Sequence, residues 1–356
     1  MSIKSWVAWP GAPIALASAA LFGASTPLAK ALLGGGISPW LLAGLLYLGS
    51  GIGLALITVL RRLVGQASSE APLDRGDWPW MLLVILSGGV AGPVLLMLGL
   101  VSTPASSAAL LLNLEGLATM AIAWAVFKEN VDRRLLLGAF AILAAAALLS
   151  WQGSAGGLGL GALAIAGACL AWGIDNNLTR KISGSDPMQI AMLKGLVAGS
   201  VNLGLAVLLG AHLPEPGVLV GAGVVVFFGY GVSLVLFVLA LRYLGTARTG
   251  AYFSMAPFIG AVLALTMFGE PLTIRLVVAA ALMGVGLWFH LAERHDHEHV
   301  HEPLAHAHAH VHDEHHRHEH EHDEPPGEPH VHHHAHGRMI HGHPHYPDLH
   351  HRHGHG

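Results

Sequence analysis

The sequence predicts an all-α membrane protein with ten transmembrane helices, built as two five-helix inverted repeats and followed by a disordered tail. Composition is the first reason, because 53% of the residues are hydrophobic and 11% are charged. The second is a series of apolar runs of about twenty residues, the length that crosses a hydrocarbon core of about 30 Å. The third is a pair of similar apolar segments, 106–130 and 247–271, that lie far apart in the chain. Helices are favoured over barrel strands because the runs are long and evenly apolar rather than alternating.

Ten apolar runs define the predicted spans. They lie near residues 12–33, 39–60, 78–100, 105–127, 134–151, 157–178, 187–210, 217–241, 247–268 and 272–292. Only Lys4 precedes the first run as a basic residue, and no clear cleavage site ends it. We therefore expect a retained helix and not a removed signal peptide. Cys169, the single cysteine, lies in the sixth run, where a small packing role is expected and an intrachain disulfide is excluded.

The two similar segments indicate an internal duplication. They close at Glu129 and Glu270, which are 270 − 129 = 141 residues apart. Besides these glutamates, the shared positions are Ala123/Ala264, Phe127/Phe268, Arg134/Arg275 and Leu135/Leu276. The predicted domains are a first repeat at 12–151, a second repeat at 157–292 and a tail at 293–356. We expect Glu129 and Glu270 to cap or pair at opposite membrane faces, and the working site to lie where the two repeats meet.

Basic residues in the connections predict the orientation, since excess Lys and Arg stays on the cytoplasmic side. One side collects twelve of them: Lys4, Arg61, Arg62, Arg75, Lys128, Arg133, Arg134, Arg180, Lys181, Arg242, Arg248 and Arg294. The other side has Lys30 and Arg275. Both termini are therefore expected in the cytoplasm, with the chain in the cytoplasmic (inner) membrane. Five helices per repeat then require the second repeat to be inverted.

Short phrases in both halves resemble the drug/metabolite transporter superfamily, EamA type, over about residues 12–292. LFGASTPLAKALL (21–33) and LAWGIDNNLTRKI (170–182) share an aromatic-glycine opening and a basic residue near the helix end. The family's helix-closing phrase is similar to Ala256, Pro257, Gly269 and Glu270 in the second half, and Glu129 fits it in the first. The first half departs from it at Glu115, Gly116 and Lys128. The resemblance implies two EamA-like repeats and transport, usually export, of metabolites, amino acids or drugs, and no enzymatic activity.

Polar residues inside the predicted spans are the candidates for solute binding and ion coupling, because ionisable groups at membrane depth usually face a partner or a wet cavity. The candidates are Glu115, Asn113, Asp175, Asn176, Asn177 and Lys194, with Trp172 and Tyr252 as aromatic neighbours. Glu115 is the first candidate for a proton-coupling or cation-binding carboxylate. In the alternative, Glu115 and Lys194 form a structural ion pair with no transport role. For the two aromatic residues, ordinary packing is favoured over a place beside the cavity.

The tail has a different chemistry, with 25 of the 27 histidines from His295 onward. Its composition predicts disorder when no ligand is bound. Imidazole binds Ni, Co, Zn and Cu ions, so exchangeable metal sites are expected. The candidate ligands are His295, His297, His299, His301, His306, His308, His310, His312, His315, His316, His318, His320, His322, His330, His332, His333, His334 and His336. A pH-responsive tail and a merely solvated tail remain the alternatives.

Three functions are consistent with these patterns. The first is a secondary transporter, most simply an exporter of a small metabolite or drug-like solute. The second is efflux of divalent transition metals, and the third is a membrane-anchored metal sensor or buffer. No GxxxxGK[ST] loop occurs, so we expect coupling to an ion, H+ being favoured, rather than to ATP. No cofactor or nucleic acid is expected, and the expected partners are the bilayer, a solute, tail-bound metal ions and a second copy in a homodimer.

Overall fold

The structure is a computed structural model that describes most of the membrane part and sections of the tail. The described residues are 11–65, 72–127, 133–151, 159–182, 185–212, 214–234, 236–237, 240, 252–291, 295–301, 304–310, 330–336 and 339–345. Glu129 lies outside these residues, so its predicted capping role stays a prediction.

Among the described residues, five helical stretches form each half of the membrane part. The first half has α1 (Gly11–Gly34), α2 (Pro39–Leu63), α3 (Arg75–Ser102), α4 in two parts (Ala105–Leu111 and Leu114–Phe127) and α5 (Arg133–Ser150). The second half has α6 (Leu160–Thr179), α7 (Pro187–Leu208), α8 (Pro216–Val232), α9 (Ala256–Phe268) and α10 (Ile274–Leu291). Short 3₁₀ turns open α3 (Arg75–Asp77) and follow α6 (Arg180–Ile182). The prediction of an all-α membrane part made of two repeats is confirmed.

The helices differ in length and in apolar character. Among the described residues, six are long and apolar enough to cross a membrane, namely α1, α2, α3, α4, α5 and α7. The apolar parts of α8, α9 and α10 are shorter. Gly269 ends α9 early, because its φ of 60° leaves the helical region. The count of ten membrane crossings therefore stays a prediction.

The two halves interlock. Helix α1 packs against α8 and α9 of the other half, and α6 packs against α3 and α4 in the corresponding way. The second helices, α2 and α7, pack against each other, as do the fifth helices, α5 and α10. Each of these contacts of the first repeat with the second thus has a counterpart in which the roles of the two repeats are exchanged. This is the exchange expected of two repeats related by a two-fold axis, and it puts the boundary between them through the middle of the bundle.

Glycines make the contact between α2 and α7 close. A β-carbon at Gly195 would lie 2.8 Å from the Gly51 Cα atom, and one at Gly44 would lie 2.7 Å from the Leu203 backbone nitrogen. Small residues are the usual means by which membrane helices approach each other, since lipid tails supply no hydrophobic drive for association. The α2–α7 pair therefore forms a tightly packed seam between the repeats.

The core and the outer surface of the bundle are both apolar. Leu41, Leu42 and Ile165 are fully buried in the core, together with Cys169, whose thiol faces the Leu111 carbonyl at 3.6 Å. The packing role expected for Cys169 is confirmed. On the outside, large apolar side chains are exposed, with Phe140 at 72%. An apolar exterior of this extent requires lipid rather than water around it.

The described residues of the tail form four strands. Strand β1 (His295–His301) pairs antiparallel with β4 (Met339–His345), and β2 (Leu304–His310) pairs antiparallel with β3 (His330–His336). These segments have strand backbone where composition predicts a disordered chain. The sequence LAHAHAH of β2 alternates with the two-residue period of a strand, which accounts for the difference. The side chains of the tail histidines lie outside what the structure describes.

Candidate functional site

Two π-helical segments mark corresponding places in the two repeats. They are Ile85–Ala91 within α3 and Val226–Val232 within α8, and their first residues are 226 − 85 = 141 positions apart. Glu129 and Glu270 show the same separation. A π-helical turn leaves backbone groups without their usual helical partners and is frequently found at functional sites. The duplication thus extends to a local irregularity of the backbone near the middle of the bundle.

Side chains from other helices hold the first π-helical segment. The Gly88 carbonyl accepts hydrogen bonds from Tyr47 Oη and Trp172 Nε1, both at 3.0 Å. The Gly89 carbonyl accepts one from Asn202 Nδ2 at 3.1 Å. Tyr47 lies on α2, Trp172 on α6 and Asn202 on α7, so both repeats hold the segment. These bonds satisfy carbonyls that would otherwise be unpaired in an apolar interior.

An ion pair lies directly over the two glycines of this segment. Lys194 Nζ donates to Asp175 Oδ2, and Thr179 Oγ1 donates to Asp175 Oδ1 at 3.2 Å. The Asp175 side chain is 5% exposed and that of Lys194 is 20% exposed. A β-carbon at Gly88 would overlap the Asp175 carboxylate, so the absence of a side chain at Gly88 makes room for the pair. The Glu115–Lys194 pair considered from the sequence is not formed, because Asp175 takes Lys194.

Glu115 stands beside this pair and binds a neutral group. Its Oε1 atom accepts a hydrogen bond from Asn176 Nδ2 at 3.0 Å, and the same amide contacts Thr119 Oγ1 at 3.2 Å. Electrostatic interactions connect Glu115 with both Asp175 and Lys194. Lys194 is paired with Asp175 and not with Glu115. The cluster of Glu115, Asp175 and Lys194 therefore carries two carboxylates and one ammonium group.

A break in α4 places Glu115 at the start of a helix. The α-helix stops at Leu111 and resumes at Leu114, so Glu115 lies in the first turn of the second part. Asn113 Nδ2 donates to the Leu110 carbonyl at 2.9 Å, a local bond of the kind by which asparagine competes with the helix. A negative charge is favoured in the first turn because the N-terminal end of a helix carries partial positive charge.

The other predicted residues have separate positions. Asn113 also faces Met283 Sδ at 3.7 Å, and Asn177 Nδ2 donates to the carbonyls of Thr119 at 3.0 Å and Gly173 at 2.8 Å. These two amides join helices and do not contact the charged cluster. Tyr252 packs against the buried Ala15 and Ala240. The structure thus brings together Glu115, Asp175, Asn176, Lys194 and Trp172.

Aromatic rings form the other side of the site. The ring centres of Phe22 and Tyr230 are 5.9 Å apart, those of Phe22 and Phe253 are 5.1 Å apart, and those of Tyr47 and Tyr230 are 6.2 Å apart. Phe237 extends the row beyond Phe253, with ring centres 4.8 Å apart. Tyr47 belongs both to this row and to the ring pair that holds Gly88. The row of Phe237, Phe253, Phe22, Tyr230 and Tyr47 is called the aromatic row below.

Tyr47, Gly88 and the aromatic row are not predicted by the sequence patterns. Tyr47 and Phe22 sit in apolar helices where an aromatic residue is most often a packing residue. The adjacent glycines at 88 and 89 were the available signal, because glycine within a helix lowers its stability and suggests a close approach by another group. Only the packing of α2, α3, α6 and α7 shows which group approaches.

Charged residues also close the helix ends at one face of the bundle. The Glu270 carboxylate accepts from the backbone nitrogens of Ala105 at 2.7 Å and Ser106 at 3.1 Å, and from the Ser106 hydroxyl. Lys30 Nζ donates to the Leu100 and Thr103 carbonyls at the end of α3, the second at 3.0 Å. The capping role predicted for Glu270 is confirmed, and it acts across the repeats on the first turn of α4.

Comparison with known proteins fits this architecture. A sequence model of the EamA-like transporter family matches residues 9–151 and 159–292, one match for each half. The chain belongs to the EamA-like transporter family. It is therefore a multi-pass membrane transporter of the drug/metabolite transporter superfamily and not an enzyme, as predicted.

Relatives of this EamA-like transporter include whole chains and single repeats. An "Uncharacterized transporter" of Methanothermobacter thermautotrophicus is 29% identical over 283 residues, which is 75% of this chain and 82% of the relative. A "Probable 4-amino-4-deoxy-L-arabinose-phosphoundecaprenol flippase subunit ArnE" of Pseudomonas paraeruginosa is 38% identical over 112 residues, 32% of this chain and 95% of the subunit. A solved structure described as "Crystal structure of protein" shares the fold at a TM-score of 0.58 and 19% identity, covering 79% of this chain and 96% of that chain.

Metal ligands are not grouped in the described part of this EamA-like transporter. Within those residues, no set of three or more His, Cys, Asp or Glu side chains is placed to hold a metal ion. The tail histidines, whose side chains the structure does not describe, are the residues predicted to bind metal. The metal-binding prediction therefore concerns the tail alone.

Proposed function

We propose that this EamA-like transporter exports a small metabolite or drug-like solute across the cytoplasmic membrane in exchange for protons, and that Glu115 carries the coupling proton. The supporting observation is the unequal charge of the central cluster. Lys194 neutralises Asp175, while Glu115 is held by the neutral amide of Asn176 at 3.0 Å. The cluster is left with one carboxylate in excess.

A lone carboxylate inside a membrane protein has two ways to be neutralised. It can bind a proton, or it can bind a positively charged group of the solute, and either removes the cost of a bare charge at membrane depth. Proton and solute then compete for the same group. Competition of this kind links the outward movement of solute to the inward movement of protons without ATP. Asp175 and Lys194 would keep the local charge low while Glu115 changes its occupant.

The orientation belongs to the same proposal. Twelve basic residues lie on the side assigned to the cytoplasm and two on the other side. Those two, Lys30 and Arg275, both donate to carbonyl groups at helix ends, Arg275 to Leu149 at 3.0 Å. Their role as helix caps accounts for two basic residues on the periplasmic side, where the positive-inside rule predicts few. Both termini, and with them the histidine tail, would face the cytoplasm, and a homodimer is the assembly we expect.

The histidine tail favours a second candidate function, efflux of a divalent transition metal such as Ni, Co, Zn or Cu. With 25 histidines at the cytoplasmic mouth, the tail would raise the local metal concentration. The central cluster supports the first candidate better, because one excess carboxylate and an amide form a poor site for a divalent ion. A membrane-anchored sensor or buffer is the third candidate. The ten predicted spans count against it, because one spanning helix is enough to anchor a protein.

A growth-inhibition screen tests the proposed function. Cells that overexpress the protein are challenged with amino acids, antimetabolites, organic amines and metal salts. We expect protection against an organic compound, and protection should be lost in Glu115→Gln. Glu215→Gln is the matched control, because Glu215 is exposed and lies before α8. Protection against metal salts alone would favour the second candidate and contradict the first.

A further inference from the structure

The site has two halves that are related by the internal duplication, one around Gly88 and one around Gly229. The charged cluster of Glu115, Asp175 and Lys194 lies in the half around Gly88. The phrase around Trp172 and Asp175 repeats the phrase around Phe22 and Ser25, with a difference of 150 residues at each position. A β-carbon at Gly88 would overlap the Asp175 carboxylate. At Gly229, the counterpart of Gly88, a β-carbon would lie 2.8 Å from Ser25 Cβ. The charged group of one half is therefore replaced by a hydroxyl in the other.

Other pairs of positions show the same replacement. Trp172, which donates to Gly88, corresponds to Phe22, which packs on Tyr230 and Phe253. Glu115 corresponds to Ala256 at a difference of 141 residues. One half of the site thus offers a carboxylate and an amide, and the other offers rings and hydroxyls.

The Glu115 carboxylate lies on an accessible side of the cluster. Glu115 is only partly buried, and Asn176, its hydrogen-bond partner, is exposed. Asp175, in contrast, is 5% exposed and already paired. An incoming cation can therefore reach Glu115 without first breaking the Asp175–Lys194 pair.

The aromatic row connects this carboxylate with the uncharged half. Tyr47 interacts electrostatically with Glu115 and Asp175 and packs against Tyr230 at a centroid distance of 6.2 Å. From Tyr230 the aromatic row continues through Phe22 and Phe253 to Phe237. All five of its residues are only partly buried. Ring faces bind apolar frames and also attract cations. A ligand that reached Glu115 from the uncharged half would pass along these rings.

We propose that the solute is an amphipathic monocation, an organic amine on an aromatic or apolar frame, with its ammonium group on Glu115 and its frame on the aromatic row. This inference rests on the proposed function and narrows the class of solute. One excess carboxylate matches one positive charge. An anion would add a third negative charge to the cluster, and a zwitterion would bring a carboxylate that competes with Asp175 for Lys194.

Three probes with one aromatic frame test the charge requirement. They are phenethylamine, a cation; phenylalanine, a zwitterion; and 3-phenylpropionate, an anion. Binding of radiolabelled phenethylamine to the purified full-length protein is measured at neutral pH, with the other two as competitors. We expect saturable binding of phenethylamine and at least about tenfold weaker competition by each of the other two. Equal competition by 3-phenylpropionate, or no saturable binding of phenethylamine, would overturn the inference.

Variants test the two binding regions separately. Glu115→Gln should weaken phenethylamine binding about tenfold, while Glu115→Asp should retain part of it and Glu215→Gln should leave it unchanged. Phe22→Leu should weaken it, with Phe140→Leu as control because Phe140 lies on the outer surface at 72% exposure. Thermal unfolding of each variant separates loss of binding from loss of fold. Unchanged binding in a folded Glu115→Gln protein would refute the inference.

Failure of this inference can be distinguished from failure of the proposed function. If the growth screen shows protection by Glu115-dependent export of a neutral or anionic compound, the exporter proposal stands and the amphipathic cation is wrong. If phenethylamine binds as expected but is not moved by the protein in vesicles, the binding site stands and export of this class is wrong.

Discussion

Gly88 lies so close to Asp175 that a β-carbon on Gly88 would overlap the Asp175 carboxylate. The same glycine offers its carbonyl oxygen to Tyr47 and Trp172 at 3.0 Å each. Gly88 is therefore the backbone position at which the π-helical segment of α3 contacts the ion pair and the side chains of Tyr47 and Trp172. Any movement of α3 at Gly88 must displace the carboxylate or its hydrogen-bonding neighbours.

Gly88→Ala should disturb both stability and transport. The added methyl group must push Asp175 away from Lys194 or move α3, and overpacking of this kind costs about 1 to 3 kcal/mol. Thermal unfolding in detergent and solute transport in vesicles measure the two effects. Gly204→Ala on α7 is the control, because a β-carbon there would meet nothing within 4 Å. Equal results for the two variants would mean that the close contact at Gly88 has no consequence.

The Asp175–Lys194 pair should behave as one unit. Asp175→Asn or Lys194→Met alone leaves a charge without its partner, which costs about 3 to 5 kcal/mol in a fully buried pair and less here because Lys194 is 20% exposed. The double variant removes both charges and should recover most of the lost stability. A thermal-unfolding cycle over the four proteins measures the coupling. Strictly additive losses would show that the two charges do not stabilise each other.

The fold could be predicted further than the site could. Apolar runs of spanning length predict the helices, and the spacing of Glu129 and Glu270 predicts the duplication. The partner of Lys194 could not be predicted, because the choice between Glu115 and Asp175 depends on how α4, α6 and α7 rotate against each other. A π-helical turn shifts the helical register by one residue, and no sequence period signals it. The row of rings is hidden for the same reason, because its members come from α1, α2, α8 and the chain before α9.

Removing the Glu270 cap should lower stability without changing the choice of solute. Glu270 accepts hydrogen bonds from the first backbone nitrogens of α4, and loss of a helix cap costs about 0.5 to 2 kcal/mol. Glu270→Ala should therefore unfold at lower temperature than wild type but show the same order of preference among phenethylamine, phenylalanine and 3-phenylpropionate. Glu215→Ala is the control. A changed order of preference would indicate that Glu270 acts on the solute itself.

Deleting residues 295–356 should separate metal binding from transport. The deletion removes 25 histidines and leaves the central cluster intact. We expect loss of Ni and Zn binding in equilibrium dialysis, with solute export in vesicles unchanged. A matched variant with the tail histidines replaced by glutamine keeps the length of the chain. Loss of solute export in both variants would instead make the tail part of the transport machinery.

Coupling through Glu115 is the central claim, and proton flux in vesicles tests it most directly. Purified protein is reconstituted with a pH-sensitive dye inside, and an identified solute is added across a range from about pH 5 to about pH 8. Wild-type protein should move protons when solute is present, and Glu115→Gln should not. Solute-dependent proton movement by Glu115→Gln at the wild-type rate throughout this range would contradict the account.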